Sequence, residues 1–249
     1  MYIYSNRKHS MKYLLILFFL FPFVSHAAWT GIDNLDTYNV LDTTATGLGG
    51  GTGWSGNWAT ANASMVIQTA PAGGQGGKAW ASIAGVQNVN RTVTTPASTG
   101  TVCVDVYTDQ VNGAANPYGL TMYNQAGTNS IICNLGQNNS GLFGCYNGST
   151  STYQDVGSTV TSNAWFTLCI KYGTNTDKYQ ASVVAYGEAN SFSADKGTNG
   201  SFTTIDKFNL DDQVAGVHTA YWDNVSDGVV ASVTPPDSII GLVKVLWFW

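Results

Sequence analysis

In TVCVDVYT, residues 101–108, valines at 102, 104 and 106 alternate with Cys103, Asp105 and Tyr107. The same period runs through AWFTLCIKY, residues 164–172, where Phe166, Leu168, Ile170 and Tyr172 oppose Trp165, Thr167, Cys169 and Lys171. A period of two belongs to a pleated strand with one buried face. Segments 64–69, 78–84, 88–94, 118–124, 130–136, 141–147, 178–186, 201–210 and 216–225 also read as strands. Between them lie PAGGQGG, NQAGTN, QNNSG, YGTNTDK and KGTNG, whose Gly and Asn residues suit turns with positive φ. No segment shows the three-and-four repeat of an amphipathic helix. The pattern predicts an all-β chain, antiparallel, in a sandwich or barrel.

The N-terminus departs from this pattern. Arg7, Lys8 and Lys12 surround the start of YLLILFFLFPFV at 13–24, and SHA offers small residues for cleavage after Ala27. Residues 1–27 are therefore expected to be a secretory signal peptide, the apolar run being shorter than the roughly 20 residues a membrane span needs. One domain is expected over 28–233, secreted or at the cell surface. Residues 234–249 are expected to be a Pro-containing linker and hydrophobic tail. Its IIGLVKVLWFW, interrupted only by Lys244, is too short to span a bilayer but suits membrane or cell-surface attachment.

Loss of the signal would take three of ten basic residues and none of fifteen acids, leaving seven against fifteen and a formal charge of −8. Such a surface repels phosphate backbones, so nucleic acid is not an expected partner. The 44% hydrophobic and 12% aromatic content is too high for a disordered chain, despite its Gly, Ser, Thr and Asn.

Cys103, Cys133, Cys145 and Cys169 all lie beyond the signal, an even number in an oxidising compartment. No C-x-x-C pair occurs and His218 is the sole histidine past residue 27, so disulfides are favoured over zinc. Strands 101–108 and 164–172, if antiparallel neighbours, would let Cys103 meet Cys169. The stretch SIICNLGQNNSGLFGCYN is symmetric about Asn139 and sets Cys133 opposite Cys145 in a hairpin. GGTGWSG contains G-x-G-x-x-G at Gly51, Gly53 and Gly56. It lacks the preceding strand and following helix of a dinucleotide loop, and no phosphate site is expected there.

GIDNLDTYNV, GGGTGWSGNW, AWFTLCIKYG and AYWDNVSDG together resemble secreted members of the concanavalin A-like lectin/glucanase superfamily, over roughly Trp29 to Val233. The resemblance implies a two-sheet jelly-roll sandwich with a concave carbohydrate-binding face. It also makes the glycine run a tight loop that folds Trp54 and Trp58 over the sandwich edge. If the terminal strands pair as in that fold, Asp33 and Asp36 would approach Asp223 and Asp227, and Asp33 with Asp223 become candidate ligands of a structural calcium ion.

The paired carboxylates of a glycosidase are not evident. Glu188 is the only glutamate, so the superfamily's Glu-x-Asp-x-x-Glu glucanase motif is absent. Asp105, Asp206 and Asp223 read as solvent-face or turn residues. His218 and Tyr221 fall on opposite faces of one strand, and no G-x-S-x-G elbow occurs. Binding asks for less: aromatic rings against the C–H face of a sugar, and amides for its hydroxyls. Trp58, Tyr118, Tyr123, Asn138, Tyr146 and Tyr153 are the candidate carbohydrate contacts. The expected function is a non-catalytic lectin-like domain for polysaccharide or glycoconjugate. The alternatives are a surface adhesion protein without sugar binding and a glycoside hydrolase or polysaccharide lyase.

Overall fold

A computed structural model describes residues 29–38, 44, 46–60, 65–74, 76–82, 87–109, 118–124, 126–135, 141–157, 159–212 and 220–228, with the backbone alone at Thr60, Gln87 and Tyr118. The expected signal segment, the C-terminal tail, Asn138 and His218 lie outside them.

The described residues form strands and no helix: β1 Ala59–Thr60, β2 Met65–Thr69, β3 Lys78–Ser82, β4 Gln87–Ala97, β5 Gly100–Thr108, β6 Tyr118–Asn124 and β7 Asn129–Leu135, then β8 Phe143–Asn147, β9 Thr152–Val156, β10 Ala164–Tyr172, β11 Lys178–Ala185, β12 Lys196–Gly197, β13 Ile205–Asp212 and β14 Ala220–Ser226. Two antiparallel sheets result, one in the order β1-β4-β13-β6-β7-β8-β9 and the other β12-β11-β10-β5-β14-β3-β2. Neither closes into a barrel. Every expected strand is present. The pattern did not reveal β9, because in TYQDV only Val156 is buried and no alternation of apolar residues marks it.

The alternation in β5 and β10 does what the sequence implied. Val102, Val104, Val106, Phe166, Leu168 and Ile170 fill the space between the sheets with Leu120, Met122, Ile131, Phe208 and Leu210 of the opposite sheet. Burying such side chains contributes about 1.5–3 kcal/mol each, the dominant favourable term. Cys103 stands directly across from Cys169 and Cys133 directly across from Cys145, and both pairs are disulfides.

The glycine run proves structural. Gly51 and Gly53 take φ of +71° and +78°, and a Cβ on them would lie 2.1 Å from the Ile32 carbonyl oxygen and 1.9 Å from that of Thr30. Only glycine lets this loop lie flat on the N-terminal segment, where Thr52 and Ile32 exchange backbone hydrogen bonds. Trp54 then turns back against Trp29 and Trp58, at ring-centroid distances of 5.8 and 5.7 Å. Arg91 fastens the loop from the core face of β4. Its Nε donates to the Gly56 carbonyl, its Nη1 to the Gly50 carbonyl and to Asp33 Oδ2 at 2.8 Å, and its guanidinium lies over both Trp54 and Trp58.

Two expectations are corrected here. Trp58 is 1% exposed and donates its Nε1–H to Asp33 and to the Tyr38 hydroxyl, so it is a core residue and not a sugar platform. Asp33 does pair with the C-terminal strand, its backbone bonding Val225. Its carboxylate, however, is occupied by the Leu35 N–H, Tyr38, Trp58 and Arg91, which leaves it no role as a calcium ligand. Among the described residues, no group of three or more His, Cys, Asp or Glu side chains is placed to hold a metal.

Candidate functional site

In IDKFNLDD of β13, Phe208 and Leu210 enter the core, so Lys207, Asn209 and Asp211 stand on the outer face. The same alternation turns Gly119, Thr121 and Tyr123 of β6 outward, with Ile132 and Asn134 of β7, Gly144 and Tyr146 of β8, and Tyr153 and Asp155 of β9. Strand register arranges them in rows. One runs Asn88, Asp211, Gly119, Asn134, Gly144, Asp155. The next runs Asn90, Asn209, Thr121, Ile132.

Four polar side chains on this face are sunk: Thr121 3%, Asn209 4%, Asn134 5% and Asp211 7% exposed. Asp211 accepts from the Thr121 hydroxyl at 2.6 Å and from the Asn209 amide. Burial pushes its carboxyl up to about 6, against the pull of those two donors, and the neighbouring Asp212 adds to the rise. Tyr123 is raised first by burial and then by the charge of Asp211, while Lys207 Nζ lies 4.2 Å from the centre of its ring. At the far edge the rings of Tyr146 and Tyr153 meet at 5.3 Å.

The face therefore has an amide, hydroxyl and carboxyl half on β13, β6 and β7 and an aromatic half on β8 and β9. Of the expected contacts, Tyr123, Tyr146 and Tyr153 share it. Tyr118 lies on β6 by its backbone, and Asn138 falls outside the described residues. Sequence reading missed Thr121, Asn134, Asn209 and Asp211. The signal was present in FNLDD, where alternation with Phe208 and Leu210 assigns Asn209 and Asp211 to one side.

Asp105 and Asp223 lie on the outer face of the other sheet, directly opposite one another on β5 and β14. They are not solvent-face or turn residues as expected, being 7% and 2% exposed. Asp105 accepts from the Thr167 hydroxyl at 2.6 Å and the Asn224 amide at 2.8 Å, and burial raises its carboxyl. Asp223 is pushed up to about 8, by burial first and then by Asp36, Asp105 and Asp33. Asp206 sits at the irregularity in β13, half-buried, with Oδ1 unpartnered.

Seven-stranded antiparallel sheets stacked face to face, each open at its edges, decide the architecture. It is an antiparallel two-sheet jelly-roll sandwich. No protein-family model matches the sequence, and no curated protein matches it. Among solved structures, one titled sialidase is 9% identical with a TM-score of 0.50, over 81% of this chain and 19% of its own. The carbohydrate-binding module CBM66 from Bacillus subtilis is 15% identical with a TM-score of 0.41, over 74% of this chain and 95% of its own. Lectin I-B4 from Griffonia simplicifolia is 8% identical with a TM-score of 0.41, over 68% of this chain and 97% of its own. At these identities the likeness is one of fold, and the jelly roll spans under a fifth of the sialidase.

Proposed function

We propose that this protein is a secreted, non-catalytic carbohydrate-binding domain that holds a polysaccharide or glycoconjugate across the outer face of β13, β6, β7, β8 and β9. The observation that carries the reading is the composition of that face. Thr121, Asn134, Asn209 and Asp211 provide hydrogen-bonding groups beside the ring pair Tyr146 and Tyr153, the combination that sugar hydroxyls and sugar C–H faces require. Ile32 is the one exposed large hydrophobic among the described residues, which favours a polar ligand over an apolar adhesive patch. The two disulfides fit an oxidising, extracellular setting.

Carboxyl geometry supports binding without hydrolysis on this face. Asp211 and Asp155 lie four strand spacings apart in their row, about 19 Å. Glycosidases keep their pair within about 5–9.5 Å. The directly opposed pair, Asp105 and Asp223, lies on the other sheet, and both oxygens of Asp105 already accept hydrogen bonds.

The test is affinity electrophoresis of the protein, purified from a secreting host, through gels holding a panel of polysaccharides, with a reducing-sugar assay on the same panel. Retardation by at least one glycan without sugar release is expected. Tyr146→Ala and Tyr153→Ala should each weaken it about tenfold, ~1.4 kcal/mol of lost ring contact. Retardation by none would sink the carbohydrate reading. Sugar release abolished by Asp105→Asn would overturn the non-catalytic one.

A further inference from the structure

The middle of the long row is built around missing side chains. Gly119 and Gly144 flank Asn134 on β6 and β8, so neither neighbour in the row sets a side chain beside it. A Cβ on Gly119 would lie 1.8 Å from Asn134 Oδ1. The amide oxygen thus occupies the space above Gly119, on the side toward β13 and Asp211. It is buried and has no hydrogen-bond partner. A buried acceptor left unmade costs about 1–3 kcal/mol, and natural structures keep few of them.

Across Gly119 stands Asp211, each of whose oxygens accepts one hydrogen bond, from Thr121 and from Asn209. A carboxylate oxygen offers about two acceptor positions, so Asp211 retains capacity on both. The two groups that border Gly119 in its row are therefore acceptors in search of donors. Among the described residues the cation on this face is Lys207, which lies over the Tyr123 ring and two outward positions away from Asp211 along β13.

We propose that the paired acceptors Asn134 Oδ1 and Asp211, which border Gly119, form the subsite that selects the ligand, taking neighbouring hydroxyls of a neutral sugar and rejecting uronate, sulfated and phosphorylated glycans. This rests on the carbohydrate reading above and adds the ligand's class to it. A neutral ring supplies O–H donors to both acceptors. An ionised carboxylate, sulfate or phosphate group has no donor to give and brings a negative charge to Asp211 in a desolvated site, where repulsion is stronger than in water. The excess of acids over bases in the whole chain acts in the same direction.

A matched pair of ligands separates charge from shape: a neutral polysaccharide that the protein binds, and the same polymer with its primary alcohols oxidised to carboxylates. The neutral polymer should bind at least tenfold more tightly. Asn134→Ala should weaken that binding about tenfold while leaving the melting temperature unchanged or higher, because it removes an unsatisfied buried acceptor. A merely structural Asn134 would lower the melting temperature and spare affinity. Asp211→Asn, which keeps the shape and removes the charge, should weaken the neutral polymer and narrow the preference between the two. Equal or tighter binding of the oxidised polymer, preference for a cationic glycan such as chitosan, or full affinity in Asn134→Ala would each overturn the proposal. If binding persists and depends on Tyr146 and Tyr153 alone, the carbohydrate reading survives and this inference fails. If no glycan binds, both fall.

Discussion

Replacing Arg91 with alanine is expected to lower the unfolding free energy by about 3–5 kcal/mol, the range for removing one partner of a buried ion pair. The reason is that Arg91 holds three chain segments at once. Its side chain is 4% exposed and bonds the carboxylate of Asp33 in the N-terminal segment and the carbonyls of Gly50 and Gly56 at either end of the glycine loop. It also covers the rings of Trp54 and Trp58. Alanine removes the donor to two part-buried carbonyl bonds and leaves the buried Asp33 charge with only Leu35, Tyr38 and Trp58 as donors. For a domain of this length the loss corresponds to a fall of roughly 6–20 °C in melting temperature, read by tryptophan fluorescence. Combining Arg91→Met with Asp33→Asn should recover part of the stability, since neither variant charge is then stranded. A loss below about 1 kcal/mol in Arg91→Ala would show that the ion pair does not fasten the loop.

This cluster also marks where the sequence stops being readable. The strands were legible because a period of two is a local signal, and β5 and β10 each carry it over nine residues. The disulfides followed, since a cysteine's place in an alternating strand and the symmetry of one hairpin fix what it can face. Trp58 and Asp33 were misread because their roles come from partners 25 and 58 residues distant in the chain, and nothing beside them announces Arg91. A tryptophan in a glycine-rich loop looks exposed until the loop is seen pressed onto the sandwich. The polar quartet was hidden for a related reason. Thr121, Asn134, Asn209 and Asp211 come from three strands, and the order β13-β6-β7 that assembles them cannot be read from strand composition. Tyr123, Tyr146 and Tyr153 could be grouped beforehand because they cluster in the sequence as well as on the sheet.

Asp223 provides the second large effect, and its sign is opposite to the usual behaviour of a folded-state carboxylate. Its carboxyl is raised to about 8, by burial and by Asp36, Asp105 and Asp33, from an ordinary value near 4. The folded state therefore holds a proton that the unfolded chain gives up. The stability linked to that proton is complete below about pH 4, declines as pH rises, and is gone above about pH 8. Asp211, raised to about 6, adds to the decline over its lower part, and Asp105 is shifted in the same direction. The domain is thus expected to be more stable at pH 5 than at pH 8, by on the order of a few kcal/mol. Asp223→Asn should remove most of this slope and raise the melting temperature at pH 8. The neutral amide needs no proton, can keep its acceptor for the Asn224 N–H, and can donate toward Asp105 across the strand pair. Thermal unfolding of both proteins from pH 4 to 9 in buffers containing chelator checks it. A variant less stable than the parent at pH 8, or one with the parent's slope, would mean that the Asp105–Asp223 pair is not what sets the pH response.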